Sequence, residues 1–125
     1  MTSAVVDTDV LIDVLRNSPG AKEYFLSQIA TGLRHSSAIT VAEIRAGMRP
    51  DEQQATMTLL DALEILPVNK EIALLGGALK DAAKQRIKLD DCLIAATAIR
   101  HGLSLVTRNV RHYQHSGLTV MPAAY

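Results

Sequence analysis

The chain has 125 residues, 48% of them hydrophobic and 21% charged, a composition typical of one soluble globular domain over 1–125. Its 13 basic and 13 acidic residues cancel, which argues against strong nonspecific nucleic-acid binding through overall charge. No apolar run is long enough to cross a membrane, and the N-terminus lacks the pattern of a secretory signal. Because the only cysteine, Cys92, cannot form an internal disulfide, we expect a cytoplasmic protein.

The hydrophobic pattern predicts short strands that alternate with helices along the chain. Loop signals such as Asn17-Ser18-Pro19-Gly20 separate neighbouring elements. This alternation is typical of an α/β sandwich with a mainly parallel sheet. The predicted elements are strand 4–6, helix 10–16, helix 21–30, strand 35–39, helix 40–48, helix 51–62, strand 63–68, helix 70–86, a central helix containing 93–99, strand 103–106 and strand 118–121.

Several local signals predict where helices begin, end and pack. Thr40 and Glu43 have the spacing of a capping box, which predicts a helix that begins at Thr40. Asn69 is expected to cap the next long helix, and Gly102 is expected to end the central one. Gly76-Gly77 lies within a predicted helix, where glycine lowers helix propensity. We therefore expect this pair to permit close packing, either within the chain or between chains.

Acidic and polar side chains follow several of the predicted strands. Asp7 ends the first strand, Glu43 lies in the helix after the second, and Asp91 opens the central helix. Thr107 and Asn109 follow another buried strand. Because the carboxyl ends of parallel strands share one edge of a sheet, these groups are predicted to converge there.

A cluster of carboxylates requires compensation of its negative charge. Two unit charges about 4 Å apart repel by roughly 4 kcal/mol at an effective dielectric of about 20. A bound cation or a shifted protonation state removes this cost. Since the candidate ligands are oxygens, without paired cysteines or spaced histidines, the pattern favours Mg²⁺ or Mn²⁺ over zinc.

Each acidic residue also has a structural interpretation. Glu43 can act only as the capping-box glutamate, and Asp90 or Asp91 can serve as a helix N-cap. Asp9 and Asp13 are most simply a cap and part of a solvated helix face. Asn109 is most simply a turn residue and Cys92 a buried inert thiol. The four histidines have structural or surface roles in this interpretation: His35, His101, His112 and His115. Lys84, Arg86 and Lys88 form a solvated face, with RNA contact as the alternative.

Three motifs, VVDTDVLID, TVAEIRAGM and DDCLIAATAIRHGLSLVTRN, resemble the ordered motifs of PIN-domain ribonucleases, most closely VapC-type toxins. The resemblance spans nearly the whole chain. It implies a three-layer α/β/α sandwich with four to five mainly parallel strands. It also implies a metal-dependent endoribonuclease that hydrolyses RNA phosphodiester bonds as the toxin of a type II toxin–antitoxin pair.

The resemblance assigns roles to the acidic residues. Asp7 and Asp91, rather than Asp90, are implied to hold Mg²⁺, with Mn²⁺ as a possible substitute. Glu43 is implied to orient a water or to complete the ligand set. Asn109 stands where many PIN domains have an aspartate, and His112 where relatives often have an acid. A neutral residue at that position implies one resting ion rather than two.

Supporting residues and partners are implied in the same way. Thr8 or Thr107 would hold a carboxylate or contact the phosphate, and Arg108 would stabilise developing charge or remain an exposed loop arginine. The implied partners are RNA, a VapB-like antitoxin and a second copy of the chain, in a homodimer or a toxin–antitoxin hetero-oligomer. The helix containing Gly76-Gly77 and the apolar stretch 59–66 are the expected places for a dimer interface.

Other functional classes remain open at this point. Asp7-Thr8-Asp9-Val10-Leu11 resembles the first motif of haloacid-dehalogenase-like phosphatases, with Asp7 as nucleophile and Asp9 as acid/base. The lysine and the downstream acidic pair of that family are matched poorly. A phosphate-accepting receiver domain also gathers acids at strand ends, but its central aspartate and late lysine are not evident. Asn109 leaves a third alternative, an inactive PIN-like binding protein.

Overall fold

The fold is built on a five-stranded parallel sheet. The computed structural model describes residues 3–32, 35–115 and 117–125. The elements are β1 (Ala4–Val6), α1 (Thr8–Leu15), α2 (Ala21–Ala30), β2 (His35–Ser37), α3 (Ala38–Ala46), a 3₁₀ helix (Pro50–Glu52), α4 (Gln53–Asp61), β3 (Glu64–Leu66), α5 (Lys70–Ala83), α6 (Leu89–Arg100), β4 (Ser104–Thr107), a second 3₁₀ helix (Val110–His112) and β5 (Val120–Pro122).

The strand order β3-β2-β1-β4-β5 places β1 in the middle of the sheet. The chain builds outward from β1 through β2 to β3, and then returns to the other side of β1 for β4 and β5. This reversal is a topological switch point, and ligands of open parallel sheets bind beside such points, at the carboxyl ends of the strands. The residues that directly follow β1 and β4 therefore occupy the expected position of a site.

Helices cover both faces of the sheet, and β1 is inaccessible to solvent on both. One buried cluster joins the sheet to α1, α2, α3 and α4, and the other joins it to α6 and to Leu79 of α5. The predicted three-layer α/β/α sandwich is confirmed. No helix of the described residues is long and apolar enough to span a membrane.

The Gly76 position brings α5 and α6 into direct contact. A Cβ atom built on Gly76 would lie 2.5 Å from Cδ2 of Leu93, whereas one on Gly77 would meet nothing within 4 Å. Close packing within the chain is therefore confirmed for Gly76, while Gly77 faces open space. The expected end of the central helix is also confirmed, since Gly102 has a φ of +64°.

The N-caps of α3 and α6 differ from those that the sequence predicted. The first turn of α3 is capped by Ser37, whose hydroxyl accepts a hydrogen bond from the Ile39 amide at 3.0 Å, so the helix begins before Thr40. Ser37 is both the last residue of β2 and the N-cap of α3. Because α3 begins at Ala38, Glu43 lies beyond its first turn. The N-cap of α6 is Lys88, so neither Asp90 nor Asp91 serves as the cap.

Other boundaries differ by a few residues. Asn69 caps α5 as predicted, accepting from the Ile72 amide at 2.9 Å. The helix ends at Ala83 rather than Arg86, because Lys84 takes a φ of 55°. The helix predicted over 51–62 is divided into a 3₁₀ turn and α4.

Candidate active site

Asp7 lies at the switch point, directly after β1. Only 5% of the residue is exposed. Its Oδ1 caps α1 by accepting from the Thr8 amide at 2.8 Å, and its Oδ2 accepts from the Thr107 hydroxyl at 2.8 Å. The carboxylate is thus fixed by groups at the carboxyl ends of two adjacent strands, β1 and β4. Burial, and then the nearby charge of Asp9, raise the pKa of Asp7 to about 7, although these hydrogen bonds oppose the shift.

Asp91 lies in the first turn of α6 and faces Asp7 across one hydroxyl. The Tyr113 hydroxyl is 3.1 Å from Oδ1 of Asp7 and 3.1 Å from Oδ1 of Asp91. The other oxygen of Asp91 accepts from Nε2 of His112 at 2.6 Å. A tyrosine has one hydroxyl proton, so it donates fully to only one of two ionised carboxylates at a time. Burial and the charges of both aspartates raise the pKa of Tyr113.

Glu43 reaches the same region from the middle of α3. Its Oε1 accepts from the Thr8 hydroxyl at 2.7 Å, and the Thr8 hydroxyl lies 2.9 Å from that of Thr40. The capping-box interpretation, with Glu43 turned back toward the helix start, is therefore wrong. Burial raises the pKa of Glu43, and the charge of Asp91 adds to the shift.

A cavity of about 230 Å³ unites these residues at the carboxyl edge of the sheet. The predicted convergence of Asp7, Glu43 and Asp91 is thus present in the structure. The cavity is lined by Asp7, Thr8, Asp9, Ile12, Glu43, Asp91, Asn109, His112 and Tyr113. The side chains of Thr8 and Thr107 each hold one of the carboxylates, as expected for one of their two implied roles.

The chemistry of the cavity fits a hard divalent cation. Its acidic side chains offer oxygen donors, and Oδ1 of Asp9 is buried without a hydrogen-bond partner among the described residues. Burial raises the pKa of both Asp7 and Glu43, a shift that a bound cation would oppose by favouring their ionised forms. Within the described residues, however, no three acidic, histidine or cysteine side chains are already gathered closely enough to hold an ion. Hydroxyl groups donate hydrogen bonds to the carboxylate oxygens instead.

Asp9, His112 and Tyr113 contribute to the site in ways that the sequence interpretation missed. Asp9 is half-buried and accepts from the Arg108 amide at 3.1 Å, so its assignment to a cap or solvated face is wrong. His112 contacts Asp91 rather than solvent alone. The position of His112, where relatives often have an acid, was the one signal in the sequence for it. Tyr113 had no comparable signal, because its contacts depend on the turn after β4.

Arg108 and Asn109 have different positions relative to the cavity. The guanidinium of Arg108 pairs with Asp13 at 2.7 Å and lies 5.4 Å from the ring centroid of Tyr125. It does not line the acidic cavity. Asn109 does line it, and its backbone amide donates to the Thr107 hydroxyl at 3.0 Å.

A parallel α/β sandwich with four carboxylates around a cavity at its switch point belongs to the class of domains suited to cation-assisted phosphate chemistry. A family model described as "PIN domain" matches residues 4–118, and the chain belongs to this family. The match confirms the family resemblance of the three motifs. It gives no support to the phosphatase or receiver-domain alternatives.

Named relatives agree with this assignment. The chain is 36% identical over 112 residues to Ribonuclease VapC10 of Mycobacterium tuberculosis, covering 87% of this chain and 84% of the relative. A toxin–antitoxin complex from Klebsiella pneumoniae contains a chain with 30% identity and a TM-score of 0.78, at coverages of 97% and 98%. DNA-bound VapBC from Salmonella typhimurium matches with a TM-score of 0.84 at 22% identity, covering 99% and 100% of the two chains, and supports the fold alone.

Proposed function

We propose that this protein is a metal-dependent endoribonuclease and the toxin of a type II toxin–antitoxin pair. The observation that carries the proposal is the convergence of Asp7, Glu43 and Asp91 around one cavity in a PIN fold. Relatives named Ribonuclease VapC support RNA as the substrate. A solved neighbour that is a toxin–antitoxin complex, at 30% identity, supports a VapB-like antitoxin as partner.

In this proposal Asp7 and Asp91, with Glu43, hold one Mg²⁺ ion, and Mn²⁺ can substitute for it. The ion would lower the pKa of a bound water and polarise the scissile phosphate. Asp7 must lose its proton to act as a ligand, which the hydrogen bonds from Thr107 and Thr8 favour.

The other residues orient these groups. Glu43, held by the Thr8 hydroxyl, orients the attacking water along the edge of the cavity. Tyr113 sets the separation between Asp7 and Asp91 through its shared hydroxyl. Asn109 presents a neutral amide at the cavity wall, where it can donate to a phosphate oxygen without adding negative charge.

The proposal is tested by cleavage of total RNA with purified protein in Mg²⁺, Mn²⁺ or EDTA. We expect discrete cuts that require metal and disappear in Asp7→Asn and Asp91→Asn. Asp61→Asn is the matched control, because Asp61 is exposed at the end of α4, where the chain enters the amino end of β3. Cleavage that persists in EDTA and in both site variants would contradict the proposal, and phosphatase activity would then be assayed. If the parent protein cleaves no RNA under any of these conditions, the result would favour an inactive PIN-like binding protein.

A further inference from the structure

A second, larger cavity adjoins the acidic one. It has a volume of about 420 Å³ and lies between the C-terminal half of α5, the α5–α6 connection and the segment after β4. Asn109 and His112 line both cavities, so the two are neighbours that share these residues. The proposed function uses only the acidic cavity and leaves this one without a role. Its lining is completed by Leu79, Ala82, Ala83, Arg86, Ile87, Arg111, Gln114 and His115.

The wall chemistry of the second cavity differs from that of the first. Leu79, Ala83 and Ile87 give it an aliphatic wall. Arg86 and Arg111 are exposed at its rim, and neither forms a salt bridge with a described acidic residue. The acidic residues of the catalytic site lie in the adjoining cavity rather than in this lining.

Two further polar groups line the cavity. Nε2 of His115 is buried and has no hydrogen-bond partner among the described residues. The Gln114 side chain is exposed and supplies both an amide donor and a carbonyl acceptor. The cavity therefore combines an apolar surface, cationic groups that lack a described acidic partner, and groups able to form hydrogen bonds with a base edge.

We infer that this cavity binds one nucleotide of single-stranded RNA next to the scissile phosphate, with Arg86 and Arg111 contacting its phosphate or base. The inference rests on the proposed function and adds the position of the substrate. Ligand cavities of about 300 to 1,000 Å³ are common, so 420 Å³ accommodates a nucleotide. Guanidinium groups bind phosphate oxygens in pairs and stack on unpaired bases.

Electrostatics gives an independent reason for a cationic subsite at this position. The formal net charge of the chain is zero, and its catalytic cavity is lined by four carboxylates. RNA approaching such a cavity is repelled unless local cations bind the flanking phosphates. Arg86 and Arg111 provide these cations beside the cavity, which favours RNA contact over the solvated-face interpretation of Arg86.

The test measures RNA binding separately from cleavage. The probe is a labelled single-stranded RNA that contains a cut site mapped with the parent protein, and the background is the full chain carrying Asp7→Asn. We expect Arg86→Gln combined with Arg111→Gln to weaken binding by about tenfold or more at low salt, as two charge-assisted contacts are lost. The slope of log K against log salt should fall by about 1.4, since each contact to single-stranded RNA contributes about 0.7.

Matched variants separate this effect from changes in charge or folding. Arg100→Gln removes a cation at the opposite end of α6 from Asp91 and should leave affinity and salt slope unchanged. Arg86→Lys combined with Arg111→Lys should keep the salt slope and lose part of the affinity, because lysine cannot form the paired contact. Thermal unfolding of every variant checks that the fold is retained.

Failure of the inference can be distinguished from failure of the proposed function. If the parent cleaves RNA with metal, but the double glutamine variant binds RNA like Arg100→Gln in the Asp7→Asn background and cleaves RNA like Arg100→Gln when Asp7 is intact, the subsite is overturned while the nuclease stands. The cavity would then be assigned to a protein segment rather than to RNA. If the parent shows neither metal-dependent cleavage nor RNA binding, both proposals fall.

Discussion

Tyr113 shows how a single hydroxyl can govern a cluster of acids. Its oxygen lies 3.1 Å from both Asp7 and Asp91, and the residue is 3% exposed. In the absence of a cation this hydroxyl is the hydrogen-bond donor that lies between the two carboxylates. Binding of a cation would replace part of its function, because the cation compensates both charges at once.

We therefore expect Tyr113→Phe to lower the free energy of unfolding by about 1.5–3 kcal/mol in EDTA, the usual effect of losing a hydrogen bond to a charged group. The loss should be smaller in saturating Mg²⁺. Urea unfolding with and without metal measures the difference. Tyr24→Phe, at a half-buried tyrosine outside the acidic cavity, is the control. An equal loss in both conditions would contradict the role assigned to Tyr113.

The protonation of Asp7 predicts an unusual pH dependence. Burial and Asp9 raise its pKa from 3.8 to about 7, so between these values the folded protein binds a proton that the unfolded chain has released. Stability without metal should therefore be full at the acid end of this window, decline as pH rises through it, and level off above 7, where both states have released the proton.

The Asp7→Asn variant has no ionisable group at this position, so its stability should not show this decline. At pH 8 in EDTA it should be more stable than the parent by a few kcal/mol at most, the free energy that corresponds to the pKa shift of Asp7. Thermal unfolding from pH 5 to 8 measures the effect. Added Mg²⁺ should stabilise the parent more at pH 8 than at pH 5. A parent whose stability rises through this range in EDTA would show that the carboxyl is ionised throughout.

At the scale of elements, the contact between α5 and α6 positions one of the acids. Gly76 lies against Leu93, two residues after Asp91, so the packing distance of these helices also sets where Asp91 lies. The adjacent Gly77 lies in the same helix, but a Cβ atom built on it would meet nothing within 4 Å. The pair offers a controlled comparison of packing with helix propensity.

Gly76→Ala should destabilise the protein by about 1–3 kcal/mol, because its Cβ would lie 3.2 Å from the backbone of Leu93 as well as against its side chain. Gly77→Ala should instead stabilise it by up to about 1 kcal/mol through helix propensity. Urea unfolding of both variants measures the contrast. Similar effects of the same sign would show that α5 and α6 can separate at no cost.

At the scale of the whole molecule, the homodimer expected from the family resemblance remains a prediction. Leu74 of α5 is 65% exposed and lies on the same helix as the open Gly77. We expect a dimer that uses this face, and Leu74→Glu should shift it to monomer by burying a charge in the contact. Light scattering after size-exclusion chromatography measures the mass. Leu26→Glu, at a leucine of α2 that is 54% exposed, is the control, and a monomeric parent would contradict the prediction.

Local sequence was sufficient to specify the α/β class, the parallel sheet and the three acids at its edge. Hydrophobic runs such as 4–6 specify buried strands, and polar residues after such strands must emerge at the carboxyl edge. These are local properties of the chain, and the family motifs reinforce them. Asp7 and Glu43 are therefore identifiable from their places after β1 and β2, whereas Asp91, which follows α5 instead of a strand, is singled out by the family motif.

How those acids are held, and what lies beside them, depends on tertiary packing. Glu43 turns to Thr8 instead of its own helix start, and Tyr113 joins two acids that are distant in sequence. The partners in these contacts are separated by 22 to 106 residues, beyond the reach of periodicity or spacing rules. The cavity beside Arg86 likewise exists only because α5 packs near the turn after β4, since a cavity is a property of packed elements rather than of any one segment.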